Sequence, residues 1–464
     1  MNNLLDLVDQ TFFSLEQAGG GGQCVWLYNR PVDIDGLRRF HQHLQRGRLA
    51  RRIERSPLPF GRHRWVLPSD QPELEIAAPR PREEFDTWLR EQASIPLDAE
   101  RGPGWHLAML PFTDGGAGVS FVVTHCLTDG IGGCLALVEA ACGYDPEMNW
   151  PAAGSRTGWR AVREDARQTM RDLPEIRRAL KSAVAAARVA RANRRSDASA
   201  APAPSQARAT KSSAPINGAD ELVELPSITV FLDVDDWDAR AQALGGTSNT
   251  LLAGLTARLA QRMGRVAADG AVALAIPVNE RTAEDTRANA ITAVNIVVDP
   301  ALASTDLRGI RAATKEALTR RQEVSDERLA LLPLTPLLPQ WFMRRMVGVA
   351  LGDATTSAAS NLGAAPPVVN RPDGRSADYV ALRTIYPGAT KAMLHRTGGL
   401  LVLHSARVHQ QVFVSVVAYQ PGRPNSDEVL LQDFSSVLSE FSLTAATGWG
   451  RTVRVGQPDY SVGV

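Results

Sequence analysis

The chain has 464 residues, of which 44% are hydrophobic and 22% are charged, and its formal net charge is +1. This composition is typical of an ordinary globular protein and gives no global sign of nucleic-acid binding. The length exceeds what one compact core holds, so we expect two domains or two large lobes. The N-terminus lacks a basic leader and no long apolar run occurs, so we expect neither a signal peptide nor a transmembrane helix.

The predicted elements of the first 150 residues alternate between strands and helices. We expect a strand at 24–28, helices at 33–49, 83–94 and 131–142, and a hairpin of strands at 105–112 and 119–124. Asp33 precedes its helix and is a candidate N-cap. The residues between the hairpin strands include two adjacent glycines, which favour a turn. This half therefore predicts a mixed α/β lobe.

The composition then shifts. Residues 160–195 are helical in pattern and basic, and residues 196–219 are rich in Ser, Ala and Pro, which is typical of a linker. The basic helix has three interpretations: a solvated face, a contact with an anionic membrane, or a contact with a phosphate-bearing ligand. We predict a first lobe at 1–165, a basic helix and linker at 166–222, and a second lobe at 223–464.

The second half repeats the alternation. We expect strands at 227–234, 272–277, 291–298, 379–385, 400–405 and 412–419, and helices at 235–243, 245–263, 306–323 and 426–443. The apolar segment 329–352 contains three prolines and two arginines. We expect it to be a buried segment broken by proline, with a lipid-facing segment as the alternative.

Four cysteines, at positions 24, 126, 134 and 142, lack CxxC spacing, and no pairs of His and Cys stand at the spacing of metal ligands. We therefore expect no metal site and interpret the cysteines as buried, reduced thiols of a cytoplasmic protein. We likewise expect His395, His404 and His409 to be surface or core residues. We expect Trp105 and Trp341 to pack in the core, with the lining of a channel as the alternative.

The stretch FVVTHCLTDGIGG, at 121–133, contains the candidate active site. An apolar run ends at His125, and Asp129 follows before a glycine-rich helix start. Strand ends are where α/β proteins present reactive side chains, and a neutral imidazole can remove a proton from an attacking hydroxyl. Taken alone, this pattern also fits a structural histidine in a turn.

The segment THCLTDG resembles the HHxxxDG signature of the CoA-dependent acyltransferase superfamily, which has the chloramphenicol-acetyltransferase-like fold. Condensation domains of peptide synthetases, plant alcohol acyltransferases and bacterial wax ester synthase/diacylglycerol acyltransferases belong to this superfamily. His125 matches its second histidine and Asp129 its aspartate, whereas Thr124 replaces the first histidine.

Further segments resemble the wax ester synthase branch in the same order along the chain. These are LLDLVDQTFFSLE (its opening D-x-x-F), IPLDAERGPGWHLAML (its PLDRSRPLW), GGTSNTLLAGL (its GxTxND), AIPVNERTAEDTRANA (its P-x-x-x-R with a downstream GN) and TTSAASNLG (its SNVPGP). Asn249 and Asn361 match these patterns, while Thr250 replaces an aspartate and the Pro-Gly-Pro is weakened. The alternatives are that Asn249 is a plain N-cap and that Asn361 is a turn residue. If Trp105 and Trp341 line a channel, the resemblance implies that it is an acyl channel.

The resemblance implies an α/β fold of two lobes with an active-site tunnel at their interface. It implies that His125 removes the hydroxyl proton of an alcohol, which attacks an acyl-CoA thioester without an acyl-enzyme, a metal or a cofactor. Gly130 and Gly133 would let the thioester come close, and Asn249, Asn361 or a backbone N–H would stabilise the oxyanion. Asp129 would form an ion pair with Arg281, or would only cap the helix that follows it.

Three functions remain open at this stage. The first is an acyl-CoA-dependent O-acyltransferase that esterifies a lipidic alcohol: a diacylglycerol, a long-chain alcohol, or a glycolipid or polyketide diol. The second takes the acyl group from an acyl carrier protein, and the third is a catalytically silent lipid-binding protein. We expect a cytoplasmic location, with peripheral contact to membranes or lipid droplets as a further possibility. We expect no nucleic-acid partner.

Overall fold

A computed structural model describes residues 3–15, 20–69, 71–199, 221–282, 285–323, 329–339, 356–447, 449 and 453–455. The α-helices are α1 (Leu7–Ser14), α2 (Ile34–Leu44), α3 (Phe85–Ala93), α4 (Gly130–Ala141), α5 (Gly158–Ser199), α6 (Val234–Ala243), α7 (Ser248–Arg262), α8 (Arg308–Glu323), α9 (Lys391–Arg396) and α10 (Asp427–Glu440). Short 3-10 helices span Arg82–Glu84, Pro300–Leu302, Leu329–Leu337 and Pro367–Asn370.

The strands form two large sheets and one small one. They are β1 (Gly21–Tyr28), β2 (Arg52–Glu54), β3 (Arg64–Val66), β4 (Leu74–Ile76), β5 (Trp105–Pro111), β6 (Ala117–Thr124), β7 (Ser227–Asp233), β8 (Val272–Asn279), β9 (Ile291–Val298), β10 (Ser357–Ala364), β11 (Tyr379–Ile385), β12 (Leu400–Val408), β13 (Gln411–Tyr419), β14 (Ala445–Thr447) and β15 (Val453–Val455). The first sheet has the order β11-β1-β6-β5-β4 and the second has the order β15-β14-β7-β13-β12-β10-β8-β9, while β2 pairs with β3.

Strand β6 lies in the middle of the first sheet, between β1 and β5, and pairs antiparallel with both. All eight of its residues are buried. The uninterrupted apolar run of this strand predicts a central position, because both faces of a central strand are covered. The structure confirms that prediction, and it fixes where the chain emerges after Thr124.

Strand β11 connects the two lobes. Strand β11 comes from the second half of the chain but pairs antiparallel with β1 at the edge of the first sheet. It also packs against β12 and β13 of the second sheet. The range predicted as the second lobe thus supplies an edge strand to the sheet of the first, and the two lobes meet along β11.

Each lobe has its own apolar core. One cluster of buried side chains surrounds the first sheet and includes Trp26, Phe85 and Trp105. A second cluster lies between the second sheet and α7 and α10, and includes Leu255 and Phe434. Ala406 and Phe413 lie on strands of the second sheet but belong to the first cluster. The face of β12 and β13 that carries these two residues is therefore turned toward the first lobe.

Most predicted elements are present, and the α/β prediction is confirmed. Asp33 caps α2 by accepting hydrogen bonds from Asp35 and Gly36. Helix α5 continues through Ser199, so the linker predicted from residue 196 begins later than expected, and its remainder lies outside the described residues. The sequence did not reveal α1 or β10, since α1 is short and β10 is rich in small residues.

Two further expectations need correction. The prediction that all four thiols are buried was wrong, because Cys142 is exposed. The apolar segment is described only over residues 329–339, where it forms a 3-10 helix against α1 and α5. Leu331 and Leu337 are exposed there, so this portion is not the buried segment we expected. Trp341 lies outside the described residues, whereas Trp105 is buried in the first core.

Candidate active site

The turn after β6 presents His125 at the boundary between the lobes. His125 is the first residue beyond the strand, and its backbone N–H donates to Gly20 O at 3.3 Å. Thr124, which stands where the signature has a histidine, accepts a hydrogen bond from Cys126 N through its hydroxyl at 3.3 Å. The threonine thus stabilises the turn that holds His125 in place.

The protonation state of the His125 ring follows from its contact with Asn289. The Nδ1 atom of His125 lies 2.8 Å from Asn289 Oδ1. An amide oxygen only accepts hydrogen bonds, so Nδ1 must carry the proton. In the neutral ring, Nε2 then keeps its lone pair. This tautomer is the one that a general base acting through Nε2 requires.

The orientation of the Asn289 amide is itself fixed. Its Nδ2 atom donates to Asp9 Oδ1 and to His125 O, each at 3.1 Å. Both atoms are acceptors, so turning the amide over would place oxygen against oxygen at two contacts. Asp9 also accepts the backbone N–H groups of Ala288 and Asn289. Burial raises the pKa of Asp9 to about 6 against these stabilising contacts.

Helix α1 covers the ring from one side. Phe12 stacks on the imidazole of His125 with the ring centroids 4.5 Å apart and the planes at 3°. Burial is the main reason that the pKa of His125 is lowered from its usual value, while its own carbonyl, Asp129 and Asn289 oppose the shift. The ring is therefore neutral near pH 7, as a base must be before it accepts a proton.

Asp129 forms both contacts that the sequence left as alternatives. Its Oδ1 accepts from Gly132 N at 2.6 Å and caps α4, and its Oδ2 lies 2.9 Å from Arg281 Nη2. Both side chains of the ion pair are buried, with 4% of Arg281 and 2% of Asp129 exposed. Asp129 Oδ2 also accepts a hydrogen bond from the backbone N–H of Ala290 at 2.7 Å. Among the described contacts, Asp129 forms no hydrogen bond with the His125 ring.

Contacts of Arg281 and Arg51 hold the segment 285–290 of the second lobe against the first lobe. Arg281 also donates to Arg287 O and Ala288 O. Arg51 of the first lobe donates to Thr286 O and to Leu127 O, and burial lowers its pKa to about 10. The segment 285–290, which carries Asn289, is thus held rigidly against the turn that carries His125.

The glycines that follow Asp129 contact protein atoms. A Cβ on Gly130 would meet Leu362 of β10 at 3.0 Å, and one on Gly133 would meet Thr128 at 3.5 Å. At Gly132 it would lie 2.6 Å from Thr128 Oγ1 and 2.9 Å from Arg281 Nη2. The structure therefore places Gly130 and Gly133 beside protein side chains, and it gives Gly132 a role that the sequence did not suggest, which is to leave room for the ion pair.

Asn361 contacts the start of α7, and Asn249 lies on the first turn of that helix. Asn361 Nδ2 donates to Ser248 Oγ at 2.9 Å, and Asn249 is exposed on the first turn of the helix. Thr250 forms a capping box with Thr247, so the residue that replaces the aspartate of the family pattern stabilises this helix. Asn361 also accepts a hydrogen bond from the backbone N–H of Gly363 at 2.8 Å, so its side chain connects β10 to the start of α7.

A cavity of about 480 Å³ lies beside Thr124, the residue that precedes His125. Gly20 and Thr124 line one side, and Tyr386 and the loop around Ile95 line the other. Burial raises the pKa of Tyr386 to about 12, so its hydroxyl stays protonated near neutral pH. The cavity therefore reaches the end of β6, next to the turn that carries His125.

The sequence alone did not indicate His404 as a site residue and placed it at the surface or in the core; its ring is partly buried. It lies on β12, and a charge on His125 would oppose a charge on His404, so the two rings are within electrostatic reach. Asp9, Phe12 and Asn289 were also not selected, although they stand in the D-x-x-F and GN segments that carry the resemblance. Those short matches were the only signal in the sequence for these three residues.

In the part of the chain that the structure describes, no group of His, Cys, Asp and Glu side chains is arranged to hold a metal ion. The helices described are each too short or too polar to cross a membrane.

No family model and no curated protein matches the chain. Solved structures do match it. Wax ester synthase/diacylglycerol acyltransferase from Marinobacter aquaeolei VT8 is 15% identical over 95% of this chain and 98% of its own, with a TM-score of 0.53. The first condensation domain of the CDA synthetase is 13% identical over 98% of both chains, with a TM-score of 0.55. The epimerization domain from the third module of tyrocidine synthetase B is 11% identical over 95% of both, with a TM-score of 0.51. These likenesses confirm the expected two-lobed α/β fold.

Proposed function

Since the chain has the fold shared by wax ester synthase and condensation domains, we propose that it is an acyl-thioester-dependent O-acyltransferase. One observation carries the proposal: the hydrogen bond from His125 Nδ1 to Asn289 Oδ1, which leaves Nε2 as a basic atom where the two lobes meet. The acceptor we propose is a lipidic alcohol, and the donor is acyl-CoA. No resident cofactor enters this scheme.

The reaction needs one base and two substrates. The alcohol oxygen attacks the thioester carbonyl while its proton passes to His125 Nε2. A new C–O bond forms, the carbonyl oxygen takes the negative charge, and the C–S bond then breaks as the carbonyl reforms. The proton on Nε2 passes to the leaving thiolate, so His125 returns to its neutral form. Binding both substrates next to a fixed base contributes to the rate advantage, because it removes the entropy cost of their encounter.

Asp129 and Arg281 would act as positioning residues in this scheme. Their ion pair holds the turn and the segment 285–290 together, and that segment carries Asn289. The carboxylate does not touch the imidazole, so we do not assign it the part of the aspartate in a Ser-His-Asp triad.

A carrier-protein donor is the second candidate. Its support is the likeness to condensation domains together with exposed basic side chains along α5, such as Arg177, Arg178 and Lys181. A basic surface of this kind suits an acidic carrier protein. The second candidate changes only the thiol that leaves and keeps the same base.

The test is thiol release from acyl-CoAs of short, medium and long chain, offered with diacylglycerol and hexadecanol, in the wild type and in His125→Ala. Release that depends on the acceptor and disappears in the variant supports the acyltransferase. If acyl-CoAs give none, acyl-carrier substrates are offered next. Failure of both donor types would contradict acyl transfer and favour a silent lipid-binding protein.

A further inference from the structure

His404 lies on the wall of the second lobe that faces the first. Side chains alternate along a strand, so His404 shares its face of β12 with Val402 and Ala406. Ala406 belongs to the core cluster of the first lobe. In the neighbouring strands, His404 is in register with Ser360 of β10 and Ser415 of β13. The three polar residues therefore form a row across the sheet, and we call Ser360, His404 and Ser415 the polar row.

The polar row lies close to the His125 turn. Leu362, two residues beyond Ser360 on β10, is the side chain that a Cβ on Gly130 would meet at 3.0 Å. Gly130 directly follows Asp129 at the start of α4. The contact between β10 and α4 thus places the polar row beside the turn, and the electrostatic coupling of His404 to His125 agrees with this placement.

The His404 ring is partly buried on the face of β12 that is turned toward the first lobe. Its neighbours along the strand and across it, Val402, Ala406, Ser360 and Ser415, are all buried, whereas His404 itself is only partly buried. Its Nδ1 atom is nevertheless buried and has no hydrogen-bond partner among the described residues. A buried polar atom without a partner is costly and rare, so a bound group is the natural partner for it.

The chemistry of the row selects what it can bind. Burial, with a contribution from His125, lowers the pKa of His404 to about 4, so the ring is neutral near pH 7. Serine hydroxyls are neutral as well, and Ser415 already shares a hydrogen bond of 3.0 Å with Thr229. A neutral row of donors and acceptors suits a hydroxyl or an amide and gives no reason to bind a phosphate or a carboxylate.

We propose that the polar row, with His404 at its centre, is a subsite that hydrogen-bonds a neutral polar group of a substrate next to its reacting atoms. This inference rests on the proposed function for where the reacting atoms lie. Two sources supply such a group: a second hydroxyl on the acceptor, as in a 1,2-diol, or an amide of the pantetheine arm of the donor. A plain alkyl alcohol offers nothing to the subsite.

The experiment is calorimetric titration of the full chain without any acyl thioester. It measures binding alone, so a failure of the subsite proposal can be distinguished from a failure of the proposed acyl transfer. The ligands are 1,2-decanediol, 1-decanol and pantetheine, and the proteins are wild type, His404→Phe, His404→Gln and the remote control His43→Phe. His404→Phe keeps the ring volume without its nitrogens, while His404→Gln keeps a donor and an acceptor. Thermal unfolding of each variant verifies that it folds.

We expect wild type to bind the diol about 10-fold more tightly than 1-decanol, as one additional hydrogen bond with a buried group allows. His404→Phe should lose that preference, His404→Gln should keep part of it, and His43→Phe should keep all of it. If pantetheine instead weakens about 10-fold in His404→Phe, the subsite stands and its polar group belongs to the donor. If the Phe substitution changes neither ligand, the proposal is overturned, whatever the outcome of the thiol-release assay.

Discussion

Asn289 Oδ1 accepts a hydrogen bond from His125 Nδ1 at 2.8 Å, although the two residues are 164 positions apart in the chain. The first lies in the second lobe and the second lies at the end of the central strand of the first lobe. The protonation state of the proposed base is therefore set across the lobe boundary. This relationship leads to the first prediction.

Replacing Asn289 by alanine should reduce kcat about 10- to 100-fold, because the His125 ring loses the partner that fixes its tautomer and orientation. KM should change little, since the amide does not face the substrate. The measurement is steady-state acyl transfer, with Asn29→Ala, an exposed asparagine at the end of β1, as the matched control. An unchanged kcat in Asn289→Ala would remove the positioning role.

Replacing Arg281 by alanine should lower the free energy of unfolding by about 3–5 kcal/mol, because it leaves Asp129 buried without its charged partner. Two backbone carbonyls of the segment 285–290 lose donors as well. Denaturant unfolding is the measurement. Arg320→Ala, which removes an exposed ion pair with Glu316, should leave stability nearly unchanged, and equal losses in the two variants would contradict the prediction.

Gly132 and Gly133 form a matched pair within one helix. Gly132→Ala should destabilise the protein and loosen the Asp129–Arg281 pair, because its Cβ would meet Thr128 Oγ1 at 2.6 Å. Gly133→Ala meets Thr128 only at 3.5 Å and should be neutral or stabilise by up to about 1 kcal/mol, since alanine favours helix. The melting temperatures of the two variants check this, and the opposite order would show that the packing around the ion pair is misassigned.

The pKa of His125 is lowered by burial, and the lone pair of Nε2 should persist to a pH below 6.5. We expect kcat/KM to reach half of its maximum below that pH, and an NMR titration of the His125 ring should give the same midpoint. The lowered pKa also makes stability depend on pH. Below pH 6.5 the unfolded chain binds a proton at His125 that the folded state does not bind, so the free energy of unfolding decreases as the pH falls. A ring midpoint at or above 6.5 would contradict both expectations.

Phe12 excludes water from one face of the His125 ring, with the centroids 4.5 Å apart. Phe12→Ala should relieve the desolvation that lowers the pKa of His125, so the ring midpoint should move upward toward 6.5. The acid limb of the kcat/KM profile should move with it. Phe60→Ala, at an exposed position, serves as the control and should leave the profile in place. A downward shift in Phe12→Ala would exclude burial by Phe12 as the cause.

Most of the longer strands and helices, the buried central strand and the position of His125 at its end could be predicted from the sequence, because periodicity and apolar runs are local properties of the chain. The Asp129–Arg281 contact entered only through resemblance to a family. Asn249 and Asn361 also entered that way; Asn249 is exposed on the first turn of α7, and Asn361 donates to Ser248 at the start of that helix. A short motif preserves which residues are present, but it does not report which side chain has turned toward the site.

The sequence by itself determined the two-lobed α/β character and the apolar strand that ends at His125, since these depend on the spacing of side chains along one segment. Only the tertiary structure decided which tautomer His125 adopts, which helix covers it and which wall it faces. Asp9, Asn289 and His404 come from distant segments, and β11 crosses between the sheets to bring the lobes together. Contacts at such separations depend on how the elements pack, and no local pattern in the chain encodes them.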